Sequence, residues 1–225
     1  MMKSRFLHSV RAVLFPERCP YCKQLVEPHE IACADCLDLL RRTHLAIRRG
    51  ALGYRCVASF AYSNAVRRAI INIKFYGRTQ YIPQLAVILA EDIRSAYGDG
   101  CFDFITAVPM HEHDRRERGY NQSVLLAKAL SERLGLPYLD TLKKTKRTKK
   151  QHRLTYSERK TNLSGAFALI DREAVRGRRI LLVDDIITSG CTLGTCAKAL
   201  NKGRPALICC AAVAAAQFQN DENVL

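Results

Sequence analysis

No apolar run in this chain exceeds eleven residues, Ala206 to Ala216. A helix needs about 20 to cross a bilayer, so a membrane-spanning helix is excluded. Acidic residues are scarce, 21 against 36 Lys plus Arg, which leaves a formal net charge of +15. Such a chain expects polyanions as partners: nucleic acid, phosphorylated metabolites or anionic lipid. The sequence has no G-x-x-x-x-G-K-[ST] and no G-x-G-x-x-G, which argues against an ATP-driven motor or a dinucleotide enzyme. It has no H-E-x-x-H either, so His111 and His113 read as loop residues. It has no internal repeat. Hydrophobic residues at 48% and charged residues at 25% exclude a mainly disordered chain. The length, 225 residues, suits one domain with an appendage or two small domains.

Met1 to Leu14 is basic, but His8 and Arg11 interrupt any apolar core of a secretion signal. Phe6, Leu7, Val10, Val13 and Leu14 fall on one helical face, which predicts a packing helix. The sequons at Asn121 and Asn162 then carry no weight, because glycosylation needs secretion. Ten cysteines in such a chain point to a reducing compartment and a metal site. The expected location is a bacterial cytoplasm.

The first fifty residues hold four paired cysteines and a basic stretch, Arg41 to Arg49. Beyond Gly53, strands are predicted at Tyr54–Tyr62, Phe102–Val108, Arg179–Val183 and Ala206–Val213. Helices are predicted at Val66–Phe75, Ile82–Tyr97, Gln122–Leu134 and Thr192–Leu200. Gly135-Leu136-Pro137 is a helix stop. Strands alternating with helices imply an α/β fold, a mostly parallel sheet with helices on both faces. The expected division is 1–50, 51–217 and a tail at 218–225.

Cys19-Pro20-Tyr21-Cys22 and Cys33-Ala34-Asp35-Cys36 form C-x2-C, ten residues, C-x2-C. Each tight turn presents two sulfurs to one metal, and two turns complete a tetrahedron. The expected occupant is a structural zinc; a redox pair is the alternative. The remaining cysteines lack ligand spacing, and Cys209 and Cys210 read as small buried hydrophobes.

The sharpest motif runs from Ile180 to Thr192. An apolar run makes a buried strand, Asp184 and Asp185 sit where it ends, and small and hydroxyl residues lead into a helix near Thr192. Ligands of parallel sheets bind at the carboxyl ends of strands. Thr188, Ser189, Gly190, Cys191 and Thr192 would cradle a phosphate at a helix start. Two acids repel phosphate, so ribose hydroxyls suit them, directly or through a hydrated Mg²⁺. Together these describe a ribose 5-phosphate. Elsewhere, Arg115 and Arg118 stand ready to grip a pyrophosphate before Gly119, Tyr120, Asn121 and Gln122. A solvated arginine loop is the plainer alternative.

Lys143 to Lys160 holds nine Lys plus Arg and one acid, Glu158. With no sustained apolar stripe it reads as a loop. Lys143, Lys144, Lys146, Arg147, Lys149, Lys150, Arg153 and Arg159 are its candidate contacts to a nucleic-acid backbone. Tyr76, Tyr120 and Tyr156 stand beside basic residues and could stack bases.

The Ile180–Thr192 motif resembles the phosphoribosyl pyrophosphate (PRPP) signature of type I phosphoribosyltransferases. The wider order resembles the ComF family of competence-associated proteins. That order is the four-cysteine knuckle, Ile70 to Gly77, Arg118 to Gln122, Gln151, Arg159 to Asn162, Ala166-Phe167 and Val183 to Asp185. The resemblance implies a zinc finger fused to a phosphoribosyltransferase-like domain. It implies a role in natural transformation, handling incoming single-stranded DNA beside a helicase and an inner-membrane channel, with peripheral placement at that membrane. It also implies that Asp184 and Asp185 hold the ribose hydroxyls of PRPP with Mg²⁺. The alternative is a Mg-dependent transferase that displaces pyrophosphate from PRPP with an unknown acceptor. There Lys74, Arg115 and Arg118 would stabilise the leaving group, and the basic loop would be a lid.

Overall fold

The structure, a computed structural model, describes residues 18–27, 30, 32–51, 53–148 and 161–216. The expected N-terminal packing helix, most of the basic stretch (149–160, with Lys149, Lys150, Arg153, Tyr156 and Arg159) and the tail at 218–225 lie outside them. The chain runs through α1 (Ala34–Thr43), β1 (His44–Ala51), β2 (Tyr54–Ala61), α2 (Asn64–Tyr76), a 3-10 turn (Thr79–Tyr81) and α3 (Ile82–Tyr97). Next come β3 (Phe104–Ala107), α4 (Glu112–Arg118), α5 (Gln122–Leu134), β4 (Leu142–Lys144) and β5 (Phe167–Leu169). Last are β6 (Arg179–Ile187), α6 (Cys191–Asn201) and β7 (Leu207–Ala215).

Five strands form one sheet in the order β1-β2-β7-β6-β3. Four are parallel, and β1 pairs antiparallel with β2 at the edge. β4 and β5 make a separate antiparallel pair. The central strands are nearly unbroken apolar runs, which suit a sheet covered on both faces. Alternate residues serve two cores. Leu181, Val183, Cys209 and Ala211 pack with Ile70 of α2, Leu85 and Leu89 of α3, and Leu126 and Leu130 of α5. Ile180, Leu182, Cys210 and Ala212 pack with Leu193, Cys196 and Leu200 of α6 and with Phe167 of β5. The fold is the expected parallel-sheet α/β class.

Gln122–Leu134 is a helix as predicted, closed by Gly135 in the left-handed region at φ 66°. β1 was not predicted. Its pairing with β2 supplies what its mixed sequence does not, and the expected boundary near residue 50 falls inside it. α4, expected as loop, is a short helix between His111, whose side chain accepts from the His113 N–H, and Gly119 at φ 87°. β6 runs four residues beyond Val183, so the two acids lie within the strand rather than after it. The cysteine knuckle packs into the first core through Cys19, Tyr21, Cys36 and Leu40. Arg68 of α2 donates to the Tyr21 carbonyl at 3.0 Å. Among the described residues, no helix is long and apolar enough to cross a membrane.

Candidate functional site

Asp184 and Asp185 are both buried near the carboxyl end of β6. Asp184 Oδ1 accepts from Ser123 Oγ at 2.8 Å and from the Asp185 N–H at 2.9 Å. Asp185 Oδ2 lies 2.6 Å from Lys74 Nζ at the end of α2. Burial, then the neighbouring Asp185 charge, pushes Asp184 up to about 7, while Lys74 and the Ser123 bond oppose the shift. Burial would lower Lys74, but Asp185 beside it wins and holds its ammonium above the ordinary lysine value. Two carboxylates thus share one ammonium. A second positive charge or a pair of hydroxyl donors suits that arrangement.

The chain then turns through Thr188 and Ser189 into Gly190, the N-cap of α6, at φ 72° and ψ −7°. Few L side chains tolerate that backbone. Gly190 offers no side chain to cap the helix, and the positive end of the helix dipole lies at this turn beside the end of β6. Thr188 is exposed, and Ser189 and Thr192 are half-buried. Ser189 Oγ lies 3.5 Å from the Cys191 N–H. The Cys191 side chain packs into the second core, so this residue can offer a ligand only its backbone.

α4 and α5 border the acid pair. Asn121 caps α5, accepting from the Ser123 N–H at 3.0 Å and donating to the Val108 carbonyl at 3.0 Å. That cap fixes the turn on which Ser123 reaches Asp184. Arg118 is half-buried, donates to Gln122 Oε1 at 2.5 Å and lies over the Phe75 ring at 5.7 Å. Arg115 is exposed on α4. The Tyr120 hydroxyl donates to the Ile73 carbonyl, which pins α2 to the start of α5.

The described part of the basic stretch divides in two. Lys143, Lys146 and Arg147 are exposed, and Lys144 is half-buried. Lys144 sits over the Phe167 ring at 5.8 Å, where burial lowers its pKa against the pull of Asp114. Arg147 turns back to Asp114 of α4 at 3.5 Å. His113, Asp114 and Glu117 cluster on α4, but this group is largely exposed and Arg147 already engages its aspartate.

At the knuckle, the ligand atoms of Cys19, Cys22, Cys33 and Cys36 all lie within 4.8 Å of one another. Cys22 and Cys33 sulfurs are 3.4 Å apart. Zinc bound to four thiolates at about 2.3 Å sets sulfurs near these separations. The donor set therefore fits a structural zinc. The Cys19 N–H donates to the Gln24 carbonyl at 2.8 Å, which closes the first turn. Cys33 caps α1 and so places Cys36 in its first turn.

Ser123 of the acid site, and Phe75 outside it, are not singled out individually by the sequence. Ser123 is an ordinary first-turn serine whose position relative to Asp184 depends on sheet topology. Phe75 reads as one more apolar residue on α2, yet it stands in water under Arg118.

Residues 121–223 match the phosphoribosyl transferase domain family. Competence protein F of Haemophilus influenzae is 40% identical over 100 residues, 44% of each chain. That match covers less than half of the Haemophilus protein. DNA utilization protein YhgH of Escherichia coli is 28% identical over 198 residues, which cover 84% of this chain and 86% of that one. Competence protein ComFC of Bacillus subtilis is 28% identical over 193 residues, 84% of this chain and 74% of that one.

Proposed function

The chain belongs to the ComF family, and on that premise we propose that it handles incoming single-stranded DNA in natural transformation. In this reading it also holds PRPP or a related ribose 5-phosphate. The observation that carries the second part is the buried Asp184–Asp185 pair beside the Gly190 start of α6. The acids take the ribose diol, and Mg²⁺ bound with PRPP would supply the second positive charge that they suit. Thr188 to Thr192 take the 5-phosphate through backbone amides and hydroxyls. The net charge of +15 supplies the attraction to the DNA backbone, with counterion release as the driving force. A helicase and an inner-membrane channel as partners belong to the same proposal.

Two titrations test it. A labelled single-stranded oligonucleotide at near-physiological salt should bind tightly, with duplex a poor competitor. PRPP with Mg²⁺ should give a calorimetric binding signal. Replacing both acids by alanine should abolish the PRPP signal and spare DNA binding, because acids repel phosphodiesters and suit a diol. Equal loss of both ligands in a folded variant would overturn the division of labour.

One observation favours the transferase reading: Lys144 is partly buried over Phe167, where the charges of Asp114 and Asp184 act on it, and Arg147 pairs with Asp114 of α4 at 3.5 Å. That placement suits a lid over a leaving pyrophosphate. Release of pyrophosphate from PRPP by the wild-type protein, lost in the double acid variant, would support it.

A further inference from the structure

Phe75 and Tyr76 are the most exposed large hydrophobic side chains among the described residues, at 67% and 69%. They end α2 directly after Lys74. Adjacent aromatic rings are ordinarily buried for their apolar area. Here both stand in water beside a buried polar site, and the backbone under them is fixed. The Gly77 and Arg78 N–H groups both donate to the Asn72 carbonyl, and the Tyr120 hydroxyl holds the Ile73 carbonyl.

Two short routes connect this surface to the acid pair. Lys74 precedes Phe75 and reaches Asp185 at 2.6 Å. On the other side Arg118 covers one face of Phe75 and is braced by Gln122, the neighbour of Ser123, which reaches Asp184 at 2.8 Å. Arg118 lies over Phe75 at 5.7 Å, and Arg78 follows Tyr76 by two residues in the chain. Aromatic faces edged by cations suit an unpaired base with its phosphate, and every base has a π-face to offer. Paired bases hide their faces inside the duplex stack.

We infer that Phe75 and Tyr76 form a stacking platform for an unpaired nucleobase of a single strand, with the adjoining phosphate meeting Arg118 rather than the Asp184–Asp185 pair. The inference rests on the DNA-handling reading above and adds the residues that select single strands. Tyr120 is a buttress of this platform rather than a part of it, since its hydroxyl is spent on Ile73.

The test compares wild type with Phe75→Ala/Tyr76→Ala by anisotropy, on an oligothymidylate and on an abasic strand of equal length. Stacking losses predict roughly 5- to 150-fold weaker binding of the oligothymidylate. The abasic strand should bind both proteins equally, and PRPP titrations should coincide. The chain has no tryptophan, so Phe75→Trp provides a single reporter that the oligothymidylate should quench and the abasic strand should not. Equal affinity of the two proteins for oligothymidylate, or equal loss on both strands, would overturn the platform. So would a drop in sedimenting mass with strand affinity kept, which would mark a self-association surface. Loss of thymidine monophosphate binding alone, with strand binding kept, would overturn it too. A wild type that binds no strand would remove the DNA-handling reading itself, whereas a wild type that binds no better than the variant removes the platform alone.

Discussion

Ser123 at the start of α5 donates its hydroxyl to Asp184 on β6 at 2.8 Å, and this bond ties a helix start to a carboxylate whose pKa rises to about 7. The bond favours the ionised acid, while burial and Asp185 favour the proton. Ser123→Ala should therefore raise Asp184 further. Hydrogen bonds to charged groups contribute about 1.5–3 kcal/mol. The midpoint for Mg-dependent PRPP binding should move to higher pH by one unit or more, on the order of that energy. Calorimetric titrations between pH 6 and 9 check it, and an unmoved midpoint would separate Ser123 from the site.

The same acid makes stability depend on pH. Its ordinary value of 3.8 stands for the unfolded chain, and folding raises it to about 7. Between those values the folded protein keeps a proton that the unfolded chain has lost. The stabilisation is complete below pH 4 and is lost as pH climbs through 7. Asp184→Asn removes this titration and keeps an acceptor for Ser123. In the absence of ligand, the variant's melting temperature should gain on wild type from pH 4 to pH 7 and hold a constant lead above. A pH-independent difference would contradict the burial argument.

Much of this was legible in the sequence, and what was not has physical reasons. The long apolar strands and α5 announced themselves, because near-continuous burial and a capped helix with a glycine stop leave plain local patterns. β1 did not, since His44–Ala51 mixes His44, Arg48 and Arg49 with Gly50 and becomes a strand only by pairing with β2. α4 has no apolar stripe in Glu-His-Asp-Arg-Arg-Glu-Arg and is held by its two caps. β4 and β5 are three residues each, too short for a period. The acids at 184 and 185 read as a strand end because charge ends most strands. Here Lys74 and Ser123 neutralise and bond them, so the ladder continues to Ile187.

Lys74 and Asp185 form a largely buried ion pair at 2.6 Å. Removing one partner of such a pair leaves an uncompensated charge. Lys74→Met should cost about 3 kcal/mol by the urea midpoint at pH 7.5. Adding Asp185→Asn should recover most of that loss, since both charges are then gone. A double variant as unstable as the single one would show that Lys74 stabilises through packing instead.

The knuckle is docked on α2, so its metal should stabilise more than its own turns. Zinc measurements on purified protein should find one ion per chain, and Cys19→Ser or Cys36→Ser should release it and lower the melting temperature by several degrees. The loss should reach Arg68, whose bond to the Tyr21 carbonyl depends on the first turn. Hydrogen exchange along α2 would report that spread. Unaltered melting and no zinc in wild type would refute the site.

The divided basic stretch gives the last prediction. Lys143 and Lys146 are exposed, Arg147 is exposed but paired with Asp114, and Lys144 lies half-buried over Phe167. Each phosphate contact on a single strand contributes a salt slope of about 0.7. Lys143→Ala/Lys146→Ala should therefore reduce the slope of log affinity against log salt by about 1.4. Lys144→Ala should leave it nearly unchanged, because that side chain is held over Phe167. The reverse order would mean that Lys144 leaves Phe167 to meet DNA, and the strand would then pass beside the acid site.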